Sequence, residues 1–216
     1  GDGMGPNQVT LAKFATGGPD HRLSFENFPI TGIVYNHSAE SLYTDSAASA
    51  TTWATGIKTI NGYLAVDAEK TFLPTIPELL STKGYKSGLV ATSSITHATP
   101  AAFYAHIDNR YKEKEIAKML LDSDIDIALG GGAEFFNLGK SEDGPYMIYD
   151  NEQLDSNLLS TKEQVIGLFA EDGFDRRLGP PTQLEMTQVA LSFLEEKSKN
   201  CTGFFLMSEG SQIDWA

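Results

Sequence analysis

Thr75-Ile76-Pro77-Glu78-Leu79-Leu80-Ser81-Thr82-Lys83-Gly84-Tyr85-Lys86-Ser87-Gly88-Leu89-Val90-Ala91-Thr92 is the stretch that decides the fold class. Its first half offers a Thr cap at 75, an acid three residues on at Glu78, a Pro in the first turn and a stop at Gly84. Those are the start and stop signals of a short helix. Its second half, Ser87–Thr92, is a compact apolar run bounded by small polar residues, as expected of a strand covered on both faces. Helix followed by strand makes one α/β unit.

The unit recurs on the C-terminal side. Lys112–Leu121 reads as an amphipathic helix with Ile116, Met119 and Leu120 inward, leading into the strand Ile125–Leu129 and glycines 130 to 132. Pro180-Pro181 precede a longer helical stretch, Thr182–Lys197, with Leu184, Val189, Phe193 and Leu194 at helical spacing, and then the strand Gly203–Met207. Three helix-to-strand alternations predict an α/β fold, a three-layer αβα sandwich around a mostly parallel sheet. Residues 1–216 are read as a single domain, with a polar surface excursion around 139–164 that includes the turn cluster Ser141-Glu142-Asp143-Gly144-Pro145. Glycines 130 to 132 lack the spacing of a dinucleotide fingerprint or the Lys of a P-loop.

Composition narrows the partners. With 41% hydrophobic and 21% charged residues the 216-residue chain is of ordinary globular type. Its net charge of -13, from 29 acids against 16 bases, argues against a surface that grips nucleic acid or an anionic bilayer and leaves room for cations. No apolar run approaches the ~18 residues that would span a membrane, and no basic-then-apolar start suggests a signal peptide. The single cysteine, Cys201, reads as an inert buried thiol and does not report the compartment. The opening Gly1-Asp2-Gly3 and the close Asp214-Trp215-Ala216 read as cuts through structure.

Ligands of open α/β sheets collect beyond the carboxyl ends of the strands. Glu209 and Asp214 follow the last predicted strand, the Ser93–Thr99 loop follows the first, and Asp2 sits in a Gly-Asp-Gly turn. Together they offer hard oxygen donors of the kind that Mg²⁺ accepts and that Zn²⁺ accepts in mixed sites. The segment Thr44-Asp45-Ser46-Ala47-Ala48-Ser49-Ala50-Thr51-Thr52-Trp53-Ala54-Thr55-Gly56 places Ser46 at the start of a small-residue helix. Such an N-terminus attracts anions through its free N–H groups and dipole. Asp45 or Ser46 equally suits a plain helix cap, and taken alone the segment favours the cap over a nucleophile.

Four blocks resemble motifs of the alkaline phosphatase family, in that family's order: Gly1-Asp2-Gly3-Met4-Gly5, Asp45-Ser46-Ala47-Ala48-Ser49-Ala50-Thr51, His97-Ala98-Thr99-Pro100-Ala101-Ala102 with Ala105-His106, and Glu209-Gly210-Ser211-Gln212-Ile213-Asp214. The resemblance implies hydrolysis of phosphate monoesters with two zinc ions and one magnesium ion. Ser46 matches the serine that is phosphorylated and also binds zinc. Asp2 matches the acid between the second zinc and the magnesium, Thr99 and Glu209 further magnesium ligands, and Asp214 a ligand of the first zinc. Arg110 matches the arginine that clamps the substrate phosphate, a task suited to its forked donors. Asp45 and His97 are expected to stand one layer behind the ions. Family members carry either Asp or His at the position of His97. His106 is expected to orient its loop, and His21 and His37 to lie on the surface.

The chain departs from the family pattern in its histidines. The family completes its zinc sites with histidines beyond the position of Asp214, whereas the last histidine here is His106. The magnesium ligands are better provided, since Mg²⁺ tolerates several waters. A catalytically incompetent fragment that keeps only magnesium and anion binding is therefore the alternative to a working phosphatase. Phosphodiesterase and sulfatase readings are disfavoured, because the Asp45–Thr51 and Glu209–Asp214 blocks belong together in the phosphatases. The resemblance also implies export to the periplasm or cell exterior, a homodimer in the full-length family, and a sheet lacking strands at its edges.

Overall fold

The computed structural model describes residues 1–136, 144–175, 181–200 and 202–215. Its centre is a sheet of five strands: β1 (Lys86–Ser94), β2 (Ile127–Gly131), β3 (Tyr146–Ile148), β4 (Val165–Leu168) and β5 (Phe204–Glu209). They lie in the order β3-β4-β2-β1-β5, and every pairing is parallel. Seven helices accompany them among the described residues: α1 (Pro6–Thr16), α2 (Ser46–Thr55), α3 (Ile76–Ser81), α4 (Ala98–Ala101), α5 (Glu113–Leu121), α6 (Ser156–Leu159) and α7 (Gln183–Lys197).

Side chains alternate across the central strands and build two cores. Leu89, Ala91, Ala128 and Ile166 pack with Ala47, Ala50 and Ala54 of α2, Ala101 of α4, and Ile116 and Leu120 of α5. Val90, Ile127, Leu129 and Val165 point the other way, onto Met186, Ala190, Phe193 and Leu194 of α7. A sheet covered on both faces is the α/β sandwich that the apolar run Ser87–Thr92 and the three helix-to-strand alternations predict.

The helix signals hold locally. Thr75 and Glu78 form a reciprocal capping box at the start of α3, and Thr182 and Glu185 do the same for α7. Each box satisfies N–H groups that a helix start leaves open. Leu184 is a correction, being exposed rather than inward. The buried stripe of α7 is set by Met186, Ala190, Phe193 and Leu194, and Leu184 lies two residues from its first member, about 200° around the helix.

Strands differ more. β1 runs on to Ser94, beyond the expected end at Thr92, and β2 begins at Ile127, not Ile125. Of the stretch read as a surface excursion, 139–143 lie outside the described residues. The remainder is not all excursion, since Tyr146–Ile148 forms edge strand β3, paired with a β4 that the sequence reading does not single out. Pro180 and Cys201 also lie outside the described residues. Residues 1–44 contribute α1, with no buried residue, one 3-10 turn at Ser24–Asn27, and irregular chain whose Phe28, Ile30, Ile33 and Leu42 are exposed. No helix among the described residues is long and apolar enough to cross a membrane.

Candidate active site

Because all strands are parallel, their carboxyl ends share one rim of the sheet. The loop after β1, the turn after β5 and the start of α2 meet there with the Asp2 turn. A cleft of about 940 Å³ opens at this rim, lined among others by Asp2, Ser46, His97, Arg110, Asp214 and Trp215.

The start of α2 shows which of the two residues is the cap. Asp45 is the cap, its Oδ1 accepting from the Ala48 N–H at 2.9 Å. Ser46 takes no part in capping, and its Oγ donates to Asp2, 3.2 Å from Oδ2 and 3.4 Å from Oδ1. The other oxygen of Asp45 accepts from the Gly62 N–H and from Arg110 Nη1, each at 3.0 Å, while Asn61 Oδ1 accepts from the Asp45 N–H. The residue that caps the helix therefore also aims the guanidinium. Sequence reading does not single out Asn61 and Gly62; an Asn-Gly pair marks a turn, but nothing in it names the carboxylate that the turn will hold.

Arg110 Nη2 donates to His97 Nε2 at 3.0 Å. A guanidinium only donates, so His97 Nε2 is bare and the neutral ring carries its proton on Nδ1. That Nδ1 is buried without a partner among the described residues, and Trp215 meets the ring edge-on. Burial first, then the charge of Arg110, lower the His97 pKa to about 4.

The carboxylates crowd together. Burial, reinforced by Asp214, raises the pKa of Asp2 against the opposing Ser46 hydroxyl, Gly3 N–H and Arg110. Gly3 permits this approach: its φ is +59° and a Cβ there would lie 2.2 Å from Asp214 Oδ1. Glu209, at the end of β5, is 4% exposed. Its pKa is raised by burial and by Asp2, and lowered by the Thr99 and Ser211 hydroxyls. Its Oε1 is buried with no hydrogen-bond partner among the described residues. An oxygen without a well-formed hydrogen bond beside a second carboxylate of raised pKa is a donor pair that suits a cation.

Asp2, Thr99 and Glu209 thus form an oxygen set that suits Mg²⁺, with waters completing its shell. Zinc is served less well. No group of three or more His, Cys, Asp or Glu able to hold a metal occurs among the described residues, and Asp214, Asp2 and Ser46 do not make a zinc site alone. His106 lies elsewhere, bonded to Glu78 Oε1 and the Ala65 carbonyl and stacked on Phe72, so it packs its loop as expected. His37 is exposed and His21 half-buried.

The sequence profile described as alkaline phosphatase matches residues 1–216. Alkaline phosphatase 4 of Bacillus subtilis is 35% identical over 100% of this chain and 50% of its own length, and the Escherichia coli alkaline phosphatase is 33% identical over 99% and 59%. The cold-active alkaline phosphatase of a psychrophilic Shewanella superposes with a TM-score of 0.88 at 36% identity, covering 100% of this chain and 56% of the other. That of the Antarctic bacterium TAB5 superposes at 0.85 and 34%, covering 99% and 64%, and a His-to-Asp variant of that enzyme is described with Mg bound in its M3 site. The chain spans about half of the length of these curated relatives. With the match running from the Asp2 turn through the Ser46 helix to the Glu209–Asp214 block, the chain belongs to the alkaline phosphatase family.

Proposed function

We propose that these residues are the nucleophile, phosphate clamp and magnesium side of a phosphate monoester hydrolase that works through a phosphoserine at Ser46. The observation that carries this reading is the Ser46 hydroxyl at the N-terminus of α2, 3.2 Å from an Asp2 oxygen and not engaged as a cap. A phosphate in the cleft meets the N–H groups of the first turn of α2 and the positive end of its dipole. Arg110 spends one nitrogen on Asp45 and one on His97, and its other N–H groups remain for two phosphate oxygens. Attack of Ser46 Oγ at phosphorus breaks the bond to the leaving oxygen and yields an alcohol and phosphoserine; water then releases inorganic phosphate. Asp2, Thr99 and Glu209 would hold magnesium, which supplies positive charge and ordered water beside the serine. Two zinc ions belong to the same proposal, with Asp214 for one and Asp2 with Ser46 for the other, and need donors beyond these residues. Export to the periplasm or cell exterior, and pairing of two copies, are part of the proposal for the longer family form.

A second reading is favoured by the zinc donors, since no group of three or more His, Cys, Asp or Glu able to hold a metal occurs among the described residues. In it, the 216-residue chain alone binds magnesium and phosphate without turnover. Hydrolysis of a chromogenic phosphate monoester at alkaline pH with Mg²⁺ and Zn²⁺, comparing the chain with Ser46→Ala, separates the two. Turnover that disappears in Ser46→Ala supports the hydrolase. No turnover, with phosphate binding that Arg110→Ala abolishes, supports the second reading, and turnover untouched by Ser46→Ala removes Ser46 from the mechanism.

A further inference from the structure

Behind the cleft floor, where β1 and β5 end, the hydroxyl side chains Thr92, Ser93, Ser94 and Ser211 are all buried. Ser211 is 0% exposed. Its Oγ donates to Glu209 Oε2 at 2.7 Å and accepts from the Ser93 N–H at 3.2 Å, with Ser93 Oγ also 3.2 Å away. A line of donors therefore runs from the backbone of β1 through one hydroxyl to one carboxylate oxygen, and each bond polarises the next. The other oxygen of that carboxylate, Oε1, accepts no well-formed hydrogen bond among the described residues, although the Thr99 hydroxyl lies close enough to the carboxylate to lower its pKa.

Packing alone does not account for this asymmetry, because a buried carboxylate is most stable with both oxygens satisfied. Resting on the reading that Asp2, Thr99 and Glu209 take magnesium, we propose that Ser211 is a positioning residue: it fixes the rotation of the Glu209 carboxylate so that Oε1 is presented to the cation. Groups that hold a metal ligand in this way set its orientation, and their removal typically lowers metal affinity by about 10-fold to 100-fold.

The turn that carries Ser211 has anchors of its own. The Ser211 N–H donates to Thr92 Oγ1 at 3.1 Å, and Gln212 Nε2 donates to the Thr92 carbonyl at 3.1 Å and the Phe174 carbonyl at 2.8 Å. Ser211→Ala leaves all three in place, whereas Thr92→Val removes an anchor and spares the Ser211 hydroxyl. Calorimetric titration of the 216-residue chain with MgCl2 alone, with circular dichroism and thermal melts on each protein, tests the assignment.

The expected result is a loss of Mg²⁺ affinity of about 10-fold or more in Ser211→Ala with its spectrum unchanged. Thr92→Val is expected to melt earlier yet bind Mg²⁺ like the parent. Ser211→Cys, a similar shape with a weaker donor, falls between parent and Ser211→Ala, and serves should Ser211→Ala fail to fold. Unchanged affinity in Ser211→Ala, or an equal loss in Thr92→Val, overturns the positioning role while leaving the phosphatase reading intact. A parent chain that binds no Mg²⁺ overturns the magnesium reading and the inference with it.

Discussion

Asp45 carries three hydrogen bonds on two oxygens, from the Ala48 and Gly62 N–H groups and from Arg110. His97 holds the other side of the guanidinium, and its burial first, then the Arg110 charge, sets the direction of its pH response. A His pKa of about 4 in the folded chain, below the usual 6.5, means that the unfolded chain takes up the proton first as pH falls. Stability is thus full above about 6.5 and is lost progressively between about 6.5 and 4. His97→Gln is expected to flatten that part of a plot of urea-unfolding free energy against pH, and a slope identical to the parent's would rule the ring out as its source. Residue type narrowed the cap to Asp45 or Ser46 without choosing between them. The Arg110–His97 contact was not legible, because only the fold brings together two side chains 13 positions apart that share no helix face.

Elements were legible where they were long or well capped. α7 and α5 have helical periodicity over nine or more residues, and the Thr75 capping box announces α3. β3 and β4, of three and four residues, were not, since runs so short inside polar sequence carry no period. Their neighbours in space explain the glycine that ends β2. The Ala170 carbonyl accepts from the Gly132 and Ala133 N–H groups, which presses the chain following β4 against Gly131. A Cβ on Gly131 would lie 1.8 Å from the Asp172 carbonyl oxygen. Gly131→Ala is therefore expected to destabilise by about 1 to 3 kcal/mol or more through forced backbone movement, read as an earlier midpoint in urea; an unchanged midpoint would show that the 170–172 segment yields freely.

At the scale of the whole molecule, three of the 29 acids behind the net charge of -13, Asp2, Asp214 and Glu209, crowd together at one rim. Without a cation that crowding opposes folding, and with one it becomes affinity. Asp2→Asn is accordingly expected to raise the thermal midpoint in EDTA while abolishing the rise that Mg²⁺ gives the parent. A midpoint lowered in EDTA would show that Asp2 is stabilised by its hydrogen bonds more than it is strained by its neighbours.

The sheet order has a consequence in time. β1 lies between β2 and β5, and its register with β5 joins Lys86 to Phe204 and Ala91 to Glu209, partners 118 residues apart. During synthesis a central strand must wait, one edge bare, until β5 arrives, and the same stretch delivers Glu209 and Asp214. Closing so long a loop is slow, and vectorial growth cannot shorten it. The nascent chain thus holds Asp2, its serine and its arginine well before it holds Glu209 and Asp214, and the rim completes its charge only as the strand that carries them docks.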